Sequence, residues 1–134
     1  MIRKVDLTGK KAIITGVGSL EGIGRYLAEG LCESGAQVVL INRSERMYKV
    51  RDFFRERGFS ADGVVADLTD RVQLDDAFRQ SMELLGGRLD ILVNCAGMQK
   101  RMDRGEFSRE DWAAVVALNL NAVFFLRQLA TGEM

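Results

Sequence analysis

Four glycines lie close together near the start of the chain, in a segment whose composition suits phosphate binding. The segment from Thr15 to Gly24 reads Thr-Gly-Val-Gly-Ser-Leu-Glu-Gly-Ile-Gly, and it follows the short apolar run Ala-Ile-Ile. A strand, a glycine-rich turn and a helix in that order present unpaired backbone amides and the positive end of a helix dipole to an anion. We therefore expect this turn to bind the diphosphate of a dinucleotide, and the alternative is a glycine-rich turn without a ligand.

The glycines of this turn have separate expected roles. Gly16 permits the sharp exit from the strand, Gly22 lets the backbone approach a diphosphate, and Gly24 lets the helix pack close to the sheet. The residues of the turn that we expect to contact the cofactor are Gly16, Gly18, Ser19, Gly22, Ile23 and Gly24.

The end of the second apolar run carries residues that discriminate between two dinucleotides. An acidic residue at this place binds the ribose hydroxyls of NAD, whereas a nearby arginine accepts the 2′-phosphate of NADP. Here the run 38–41 is followed by Asn42, Arg43 and Ser44. Asn42 in place of an acid, with Arg43 next to it, favours NADP over NAD. The alternative is that Arg43 is a solvated loop residue.

Short apolar runs that alternate with amphipathic segments must position these residues. We predict strands at 12–15, 38–41, 63–66 and 90–93. We predict helices over 22–33, from a cap at Ser44 to about 57, from about Asp70 to 85, and from a cap at Ser108 through Phe124. Apolar strands imply a sheet covered on both faces, and β-α repetition implies parallel pairing. The expected fold is α/β, a Rossmann-type doubly wound parallel sheet with strand order 3-2-1-4, in one domain over 1–134.

The bulk composition argues against several classes of function. The chain has 134 residues, with 19 basic, 19 acidic and no histidine side chains. Balanced charge gives no electrostatic case for nucleic acid or an anionic membrane, and the lack of histidine removes the commonest metal ligand. The two cysteines, Cys32 and Cys95, suggest neither a disulfide framework nor a zinc site and fit a cytoplasmic location. We expect no segment long and apolar enough to span a membrane.

These motifs, taken in order, resemble those of the short-chain dehydrogenases/reductases. The cofactor signature of that family is Thr-Gly-x-x-x-Gly-Ile-Gly, and the chain departs from it because five residues, rather than three, separate Gly16 from Gly22. This longer spacing leaves open whether Gly18 or Ser19 faces the cofactor.

The resemblance assigns roles to residues at the end of the third strand and in the last helix. It implies that Asp67, followed by Leu68, hydrogen-bonds the adenine amino group. The alternative is that Asp67 caps the next turn. Asn119 matches the asparagine that joins the family's catalytic group by holding a water beside the active lysine, and the alternative is an exposed asparagine on the polar side of the helix.

The stretch Asn94-Cys-Ala-Gly resembles the family's Asn-Asn-Ala-Gly at the end of the fourth strand. The resemblance implies that Asn94 stabilises the sheet and lines the site, while small Ala96 and Gly97 let the cofactor ribose lie against the strand end. Cys95 replaces the second asparagine. A small buried apolar role for Cys95 is favoured over a reactive thiol.

The family's catalytic group is missing from this chain. The family uses a tyrosine as general acid and base, a lysine four positions later, and an upstream serine. Tyr26 and Tyr48 are followed four positions later by Gly30 and Asp52. We therefore expect a truncated chain, the first half of a family domain, which holds a nicotinamide cofactor but turns over no substrate. The open edge of the fourth strand and the uncovered last helix are expected to favour aggregation or association.

The segment from Asn94 to Phe125 is similar to sugar-acid dehydrogenases, among them 2-deoxy-D-gluconate 3-dehydrogenases and 2-dehydro-3-deoxy-D-gluconate 5-dehydrogenases. The resemblance implies an NAD(P)-dependent oxidoreductase acting on a small hydroxylated carboxylate, and a homotetramer built partly through the last helix. Lys100 and Arg101 are placed to attract such an anion or to form a solvated basic loop. The alternative functions are a nucleotide-binding module without catalysis and, less favoured, a methyltransferase, which leaves Asn119 unexplained.

Overall fold

Four parallel strands form one sheet in the computed structural model, which describes residues 5–103 and 105–134. The strands are β1 (Lys11–Thr15), β2 (Gln37–Asn42), β3 (Ala61–Val65) and β4 (Ile91–Val93). Their order is β3-β2-β1-β4, and every neighbouring pair is parallel. The predicted fold class and strand order are confirmed, although β3 begins two residues earlier than predicted. Residues 1–4 and 104 of the predicted domain lie outside the described residues.

The helices alternate with the strands, as the periodicity predicts. They are α1 (Ile23–Glu33), α2 (Met47–Glu56), α3 (Arg71–Leu84), α4 (Arg109–Val116) and α5 (Ala122–Glu133). A π-helical turn, Ala117–Asn121, joins α4 to α5, so that the last helix runs on through it. The sequence predicts that last helix but not its π-helical turn.

Helix ends test three predicted caps. The carboxylate of Asp70 accepts hydrogen bonds from two backbone amides of the first turn of α3, and the hydroxyl of Ser108 accepts one from α4. Both caps are confirmed. The predicted cap at Ser44 was wrong, because Ser44 opens a preceding turn in which its hydroxyl accepts from the amide of Arg46 and its carbonyl from that of Met47. A cap at Ser44 would place the first helical residue directly after it. The helix α2 instead begins at Met47, three residues after Ser44.

The sheet is covered on both faces, as expected from its apolar strands. Successive residues of β1 alternate between the two layers, so Ala12 and Ile14 pack with α1 and α2, whereas Ile13 packs with α3 and α5. The largest fully buried side chains fill both layers: Phe54, Ile13, Ile14, Leu40, Ile41, Met47, Leu74, Leu85, Leu89, Leu126, Val17 and Val38.

The helix Arg109–Glu133 contains an 18-residue window with a mean hydropathy of 1.5 and is long and apolar enough, by length and composition alone, to cross a membrane. The expectation that no segment reaches this threshold was therefore wrong. The helix nevertheless packs one face onto the sheet, where Leu126 and Ala130 are each 1% exposed beside α3. Its other face leaves Trp112, at 65% exposed, in an apolar stripe with Leu120 and Phe124. In the described part of the chain β4 pairs only with β1, as predicted.

Candidate functional site

A cavity of about 450 Å³ opens where the carboxyl ends of the four strands meet. The strand order reverses at β1, with β2 on one side and β4 on the other, and in open parallel sheets ligands bind at such a switch point. It is lined by residues from the end of β2, from the loops after all four strands and from the π-helical turn: Gly16, Gly18, Ser19, Gly22, Ile41, Asn42, Arg43, Ala66, Asp67, Leu68, Thr69, Cys95, Ala96, Gly97, Met98 and Leu118. We call this space the main cavity.

Most predicted cofactor residues line the main cavity, and three do not: Ile23, Gly24 and Asn94. Ile23 is 75% exposed at the start of α1, and Gly24 is buried beneath the turn. Asn94 is exposed, and its side chain makes no hydrogen bond to the described residues, so the expected stabilisation of the sheet by this side chain is not seen.

Six lining residues were missed by the sequence reasoning: Ile41, Ala66, Thr69, Cys95, Met98 and Leu118. Five of them are sequence neighbours of predicted residues at strand ends, and this adjacency could have been used to predict them. Leu118 comes from the π-helical turn, and only the tertiary structure brings it to the cavity.

The glycine turn is packed too closely for side chains at two positions. Gly16 has a φ of +79°, and a Cβ there would lie 2.6 Å from the Cα of Ala96. A Cβ on Gly24 would lie 2.7 Å from the carbonyl oxygen of Gly16. These distances support the predicted roles of Gly16 in the sharp exit from β1 and of Gly24 in close helix–sheet packing.

The amino end of α1 offers free hydrogen-bond donors to a ligand. Its N-cap is Gly22, and no side chain caps it. Within the described residues, no protein group accepts a hydrogen bond from the amides of 18–22. Because unpaired amides at a helix amino end bind anions, this turn fits the diphosphate of a dinucleotide. Gly18 and Ser19 both line the main cavity, so the structure does not separate these two candidates.

A buried threonine ties the loop after β4 to β1. Thr15 is 1% exposed, and its Oγ1 accepts hydrogen bonds from the amides of Cys95 (3.2 Å) and Ala96 (3.0 Å). Cys95 is half-buried, packs against the layer of α1 and α2, and also lines the main cavity. Its side chain is therefore part of the packing, as favoured from the sequence.

Replacing Thr15 with valine should destabilise the fold, because the two amides lose their acceptor while the shape of the side chain is kept. We expect the free energy of unfolding to fall by about 2 kcal/mol or more, measured by urea denaturation. Thr15→Ser keeps the hydroxyl and serves as the matched control. A valine variant as stable as the serine variant would show that the two hydrogen bonds contribute nothing.

Charged and polar side chains at the ends of β2 and β3 face the same space. Asp67 Oδ1 accepts hydrogen bonds from the hydroxyl (2.7 Å) and the amide (3.0 Å) of Thr69. The Thr69 hydroxyl, together with the nearby charge of Arg43, holds the pKa of Asp67 below its usual value. The alternative of a turn-capping role for Asp67 is realised, and the carboxylate still lines the main cavity.

Asn42 lies against the glycine turn at the end of β2. A Cβ on Gly18 would approach Asn42 Nδ2 to 3.2 Å, so a larger residue at 18 would press on this side chain. Asn42 Nδ2 donates a hydrogen bond to the carbonyl of Ser44 at 3.3 Å. The neutral amide of Asn42 thus stands where a carboxylate would repel a phosphate.

Asn119 connects the π-helical turn to the loop after β4. Its Oδ1 accepts a hydrogen bond from the amide of Met98, and its Nδ2 donates one to the Met98 carbonyl, both at 2.8 Å. Met98 and Leu118 both line the main cavity. Asn119 is exposed, yet both of its side-chain polar atoms are engaged, so it holds the cavity wall in place. Its catalytic role stays a prediction.

The basic residues after β4 lie outside the main cavity. Lys100 forms an ion pair with Asp111 on α4, and this hydrogen bond lowers the pKa of the Asp111 carboxyl. Lys100 therefore fastens its loop to α4, and a role for it in attracting an anionic substrate has no support in this arrangement. Arg101 is exposed.

Neither tyrosine lies at the main cavity. Tyr26 is on α1 and 58% exposed, and Tyr48 is on α2 beside the core. The described residues therefore place no phenol hydroxyl where it can exchange a proton with a ligand in this space.

Comparison with known proteins gives consistent matches over nearly the whole chain. The family model for the short chain dehydrogenases matches residues 10–134. Gluconate 5-dehydrogenase of Gluconobacter oxydans is 40% identical over 130 residues, which are 96% of this chain and 50% of that protein. 2-Dehydro-3-deoxy-D-gluconate 5-dehydrogenase of Bacillus subtilis is 30% identical over 129 residues, which are 96% of this chain and 49% of that protein.

A solved structure extends the likeness to the fold. Gluconate 5-dehydrogenase from Burkholderia cenocepacia, in complex with NADP and tartrate, superposes with a TM-score of 0.82 and 39% identity. The match covers 96% of this chain and 49% of that one. The chain thus spans about half the length of the relatives that it matches.

Proposed function

The chain belongs to the short-chain dehydrogenase family, and on that premise we propose that its main cavity binds NADP for an NAD(P)-dependent oxidoreductase acting on a sugar acid. One observation carries the proposal. The uncapped start of α1 and Arg43 line the same cavity, which lies at the switch point of the sheet. NADP, when bound, supplies or accepts the hydride.

The chain's own residues bind and orient the cofactor. The amides of the glycine turn take the diphosphate, and Arg43 takes the adenosine 2′-phosphate as a charge-assisted partner. Asp67 remains available as an acceptor for the adenine amino group. The small residues Ala96 and Gly97 leave room for a ribose against the end of β4.

The preference for NADP is supported by two independent observations. Asn42 leaves the end of β2 without a carboxylate, and Arg43 adds a positive charge beside it. The gluconate 5-dehydrogenase from Burkholderia cenocepacia was solved with NADP and tartrate, a hydroxylated carboxylate. We propose the same substrate class, a deoxygluconate or a related sugar acid, for the whole protein.

Catalysis needs groups that this chain does not place at the cavity. Asn119 is proposed to join the catalytic group of the whole protein, and the chain contains no Tyr-x-x-x-Lys sequence. We propose that the 134-residue chain by itself binds the cofactor without turning over a substrate. In the whole protein, we propose that a homotetramer in the cytoplasm covers the apolar stripe around Leu120 and Phe124.

Titration calorimetry of the purified chain with NADPH, NADH and S-adenosylmethionine tests the proposal. We expect saturable binding of NADPH, weaker binding of NADH and no binding of S-adenosylmethionine. A hydride-transfer assay on gluconate and its keto derivatives should stay at background. Preferential binding of S-adenosylmethionine would favour a methyltransferase, and turnover above background would overturn the expected inactivity of the isolated chain.

A further inference from the structure

A second cleft of about 270 Å³ adjoins the main cavity at the glycine turn. It is lined by Gly18, Ser19, Leu20, Glu21, Arg46, Lys49 and Val50. Gly18 and Ser19 also line the main cavity, so the two spaces meet at these two residues. We call this second space the basic cleft.

One wall of the basic cleft is formed by the glycine turn. Leu20 and Glu21, which lie in the five-residue stretch between Gly16 and Gly22, line the cleft together with Arg46 and Lys49 at the start of α2. The glycine turn and a particular pair of basic side chains thus face the same cleft.

The cations of the basic cleft differ from the others on α2. Among the described residues, Arg46 and Lys49 form no ion pair, although the carboxylate of Glu21 lines the same cleft. Further along the same segment, each arginine is paired with an acid: Arg51 with Asp52, Arg55 with Asp62, and Arg57 with Glu29 and Glu33. Positive charge is therefore left available beside the glycine turn.

We propose that Arg46 and Lys49 form the outer half of the site for the 2′-phosphate of NADP and that Glu21 weakens that site by repulsion. The inference rests on the proposed function, since it places the adenosine end of the cofactor at Asn42 and Arg43. A 2′-phosphate bound there contacts Arg43 in the main cavity. It also lies beside Gly18 and Ser19, the two residues that the main cavity shares with the basic cleft. The Ser19 hydroxyl adds a hydrogen-bond donor at the junction.

The chemistry of the two dinucleotides explains why the effect should be selective. The diphosphate, which both dinucleotides carry, is assigned to the amides at the start of α1. A 2′-phosphate carries up to two further negative charges and is recognised by arginine and lysine, whereas the free 2′-hydroxyl of NAD gives these cations no anion to bind. Arg46 and Lys49 therefore contribute to specificity and not to general affinity.

The test uses the full chain and small probes that isolate the 2′-phosphate. Calorimetry compares adenosine 2′,5′-bisphosphate with adenosine 5′-monophosphate, and NADPH with NADH. For Arg46→Gln combined with Lys49→Gln we expect binding of the bisphosphate and of NADPH to weaken by about 10-fold, and binding of the monophosphate and of NADH to change by less than about 2-fold. Glu21→Gln should tighten the bisphosphate and leave the monophosphate unchanged.

Arg51→Gln is the matched control, because it removes one positive charge from α2 at a residue that lines neither space. Circular dichroism confirms that each variant is folded. The inference is overturned if the double variant binds the bisphosphate as well as the unmodified chain does, or if Arg51→Gln loses as much bisphosphate affinity as the double variant. In either case, NADPH binding by the unmodified chain still upholds the proposed function. An unmodified chain that binds neither dinucleotide overturns both.

Discussion

Replacing Gly16 with alanine should lower the free energy of unfolding by about 2–5 kcal/mol and abolish cofactor binding. The residue has a φ of +79°, a region that costs a side-chain-bearing residue about 1–2 kcal/mol. The new Cβ would also lie 2.6 Å from backbone atoms of Ala96, and overpacking of this kind costs about 1–3 kcal/mol more. Any shift that relieves the overlap moves β4 away from β1 and distorts the main cavity. Urea denaturation and NADPH titration measure the two effects.

The control for this experiment is a glycine without close neighbours. Gly30 lies within α1, would have no neighbouring atom within 4 Å of an added Cβ, and does not have a positive φ. Gly30→Ala should therefore stabilise the chain by about 0.5–1 kcal/mol. If Gly16→Ala proved as stable as Gly30→Ala, the close approach of the glycine turn to the loop after β4 would be wrong.

Replacing Arg43 with alanine should weaken binding of NADPH by about 10- to 100-fold, because a hydrogen-bonded ion pair with the 2′-phosphate is lost. Binding of NADH should change little, since NADH lacks that phosphate. Calorimetry with both nucleotides measures the difference directly.

Arg79 provides a matched control for Arg43, because it is an exposed arginine on α3 that pairs with Glu83 and lines neither cavity. Arg79→Ala should leave both affinities unchanged. A preference for NADH in the unmodified chain that persists in Arg43→Ala would contradict the assignment of NADP.

The architecture follows from local features of the chain. Apolar runs such as 38–41 form parallel strands because helices cover both faces, and the handedness of the crossovers then sets the order β3-β2-β1-β4. Side chains at the carboxyl ends of such strands meet at one edge of the sheet. This is why Arg43, Asp67 and Gly97, which are distant in sequence, were predicted together and line one cavity.

Other features depend on contacts that sequence patterns do not specify. Ser44 has the chemistry of a helix cap, but a hydrogen bond from the amide of Arg46 places it in a turn before α2. The π-helical turn depends on no residue type alone, and it is accompanied by the paired hydrogen bonds between Asn119 and Met98. The basic cleft brings residues of the glycine turn next to the start of α2, a proximity that spacing along the chain does not give.

The sequence predicts that the last helix has an uncovered apolar face, and the structure shows which of its residues are exposed. Leu126 and Ala130 bury one face, while Trp112, Leu120 and Phe124 remain exposed on the other. Hydropathy alone gives both faces the same weight, which is why an 18-residue window of this helix reaches the composition of a membrane span. In the described residues only its Leu126 and Ala130 face is buried against α3 and the sheet.

The most direct test is an NMR titration of the isotopically labelled chain with NADPH, which reports where the nucleotide binds. We predict shifts in the amide resonances at the carboxyl edge of the sheet: 16–24, 42–44, 66–69 and 95–98. Glycines at the opposite edge, such as Gly9, Gly35 and Gly87, should not respond. A folded chain whose resonances do not change at millimolar NADPH, or change only at that opposite edge, would contradict the binding of a dinucleotide at the switch point.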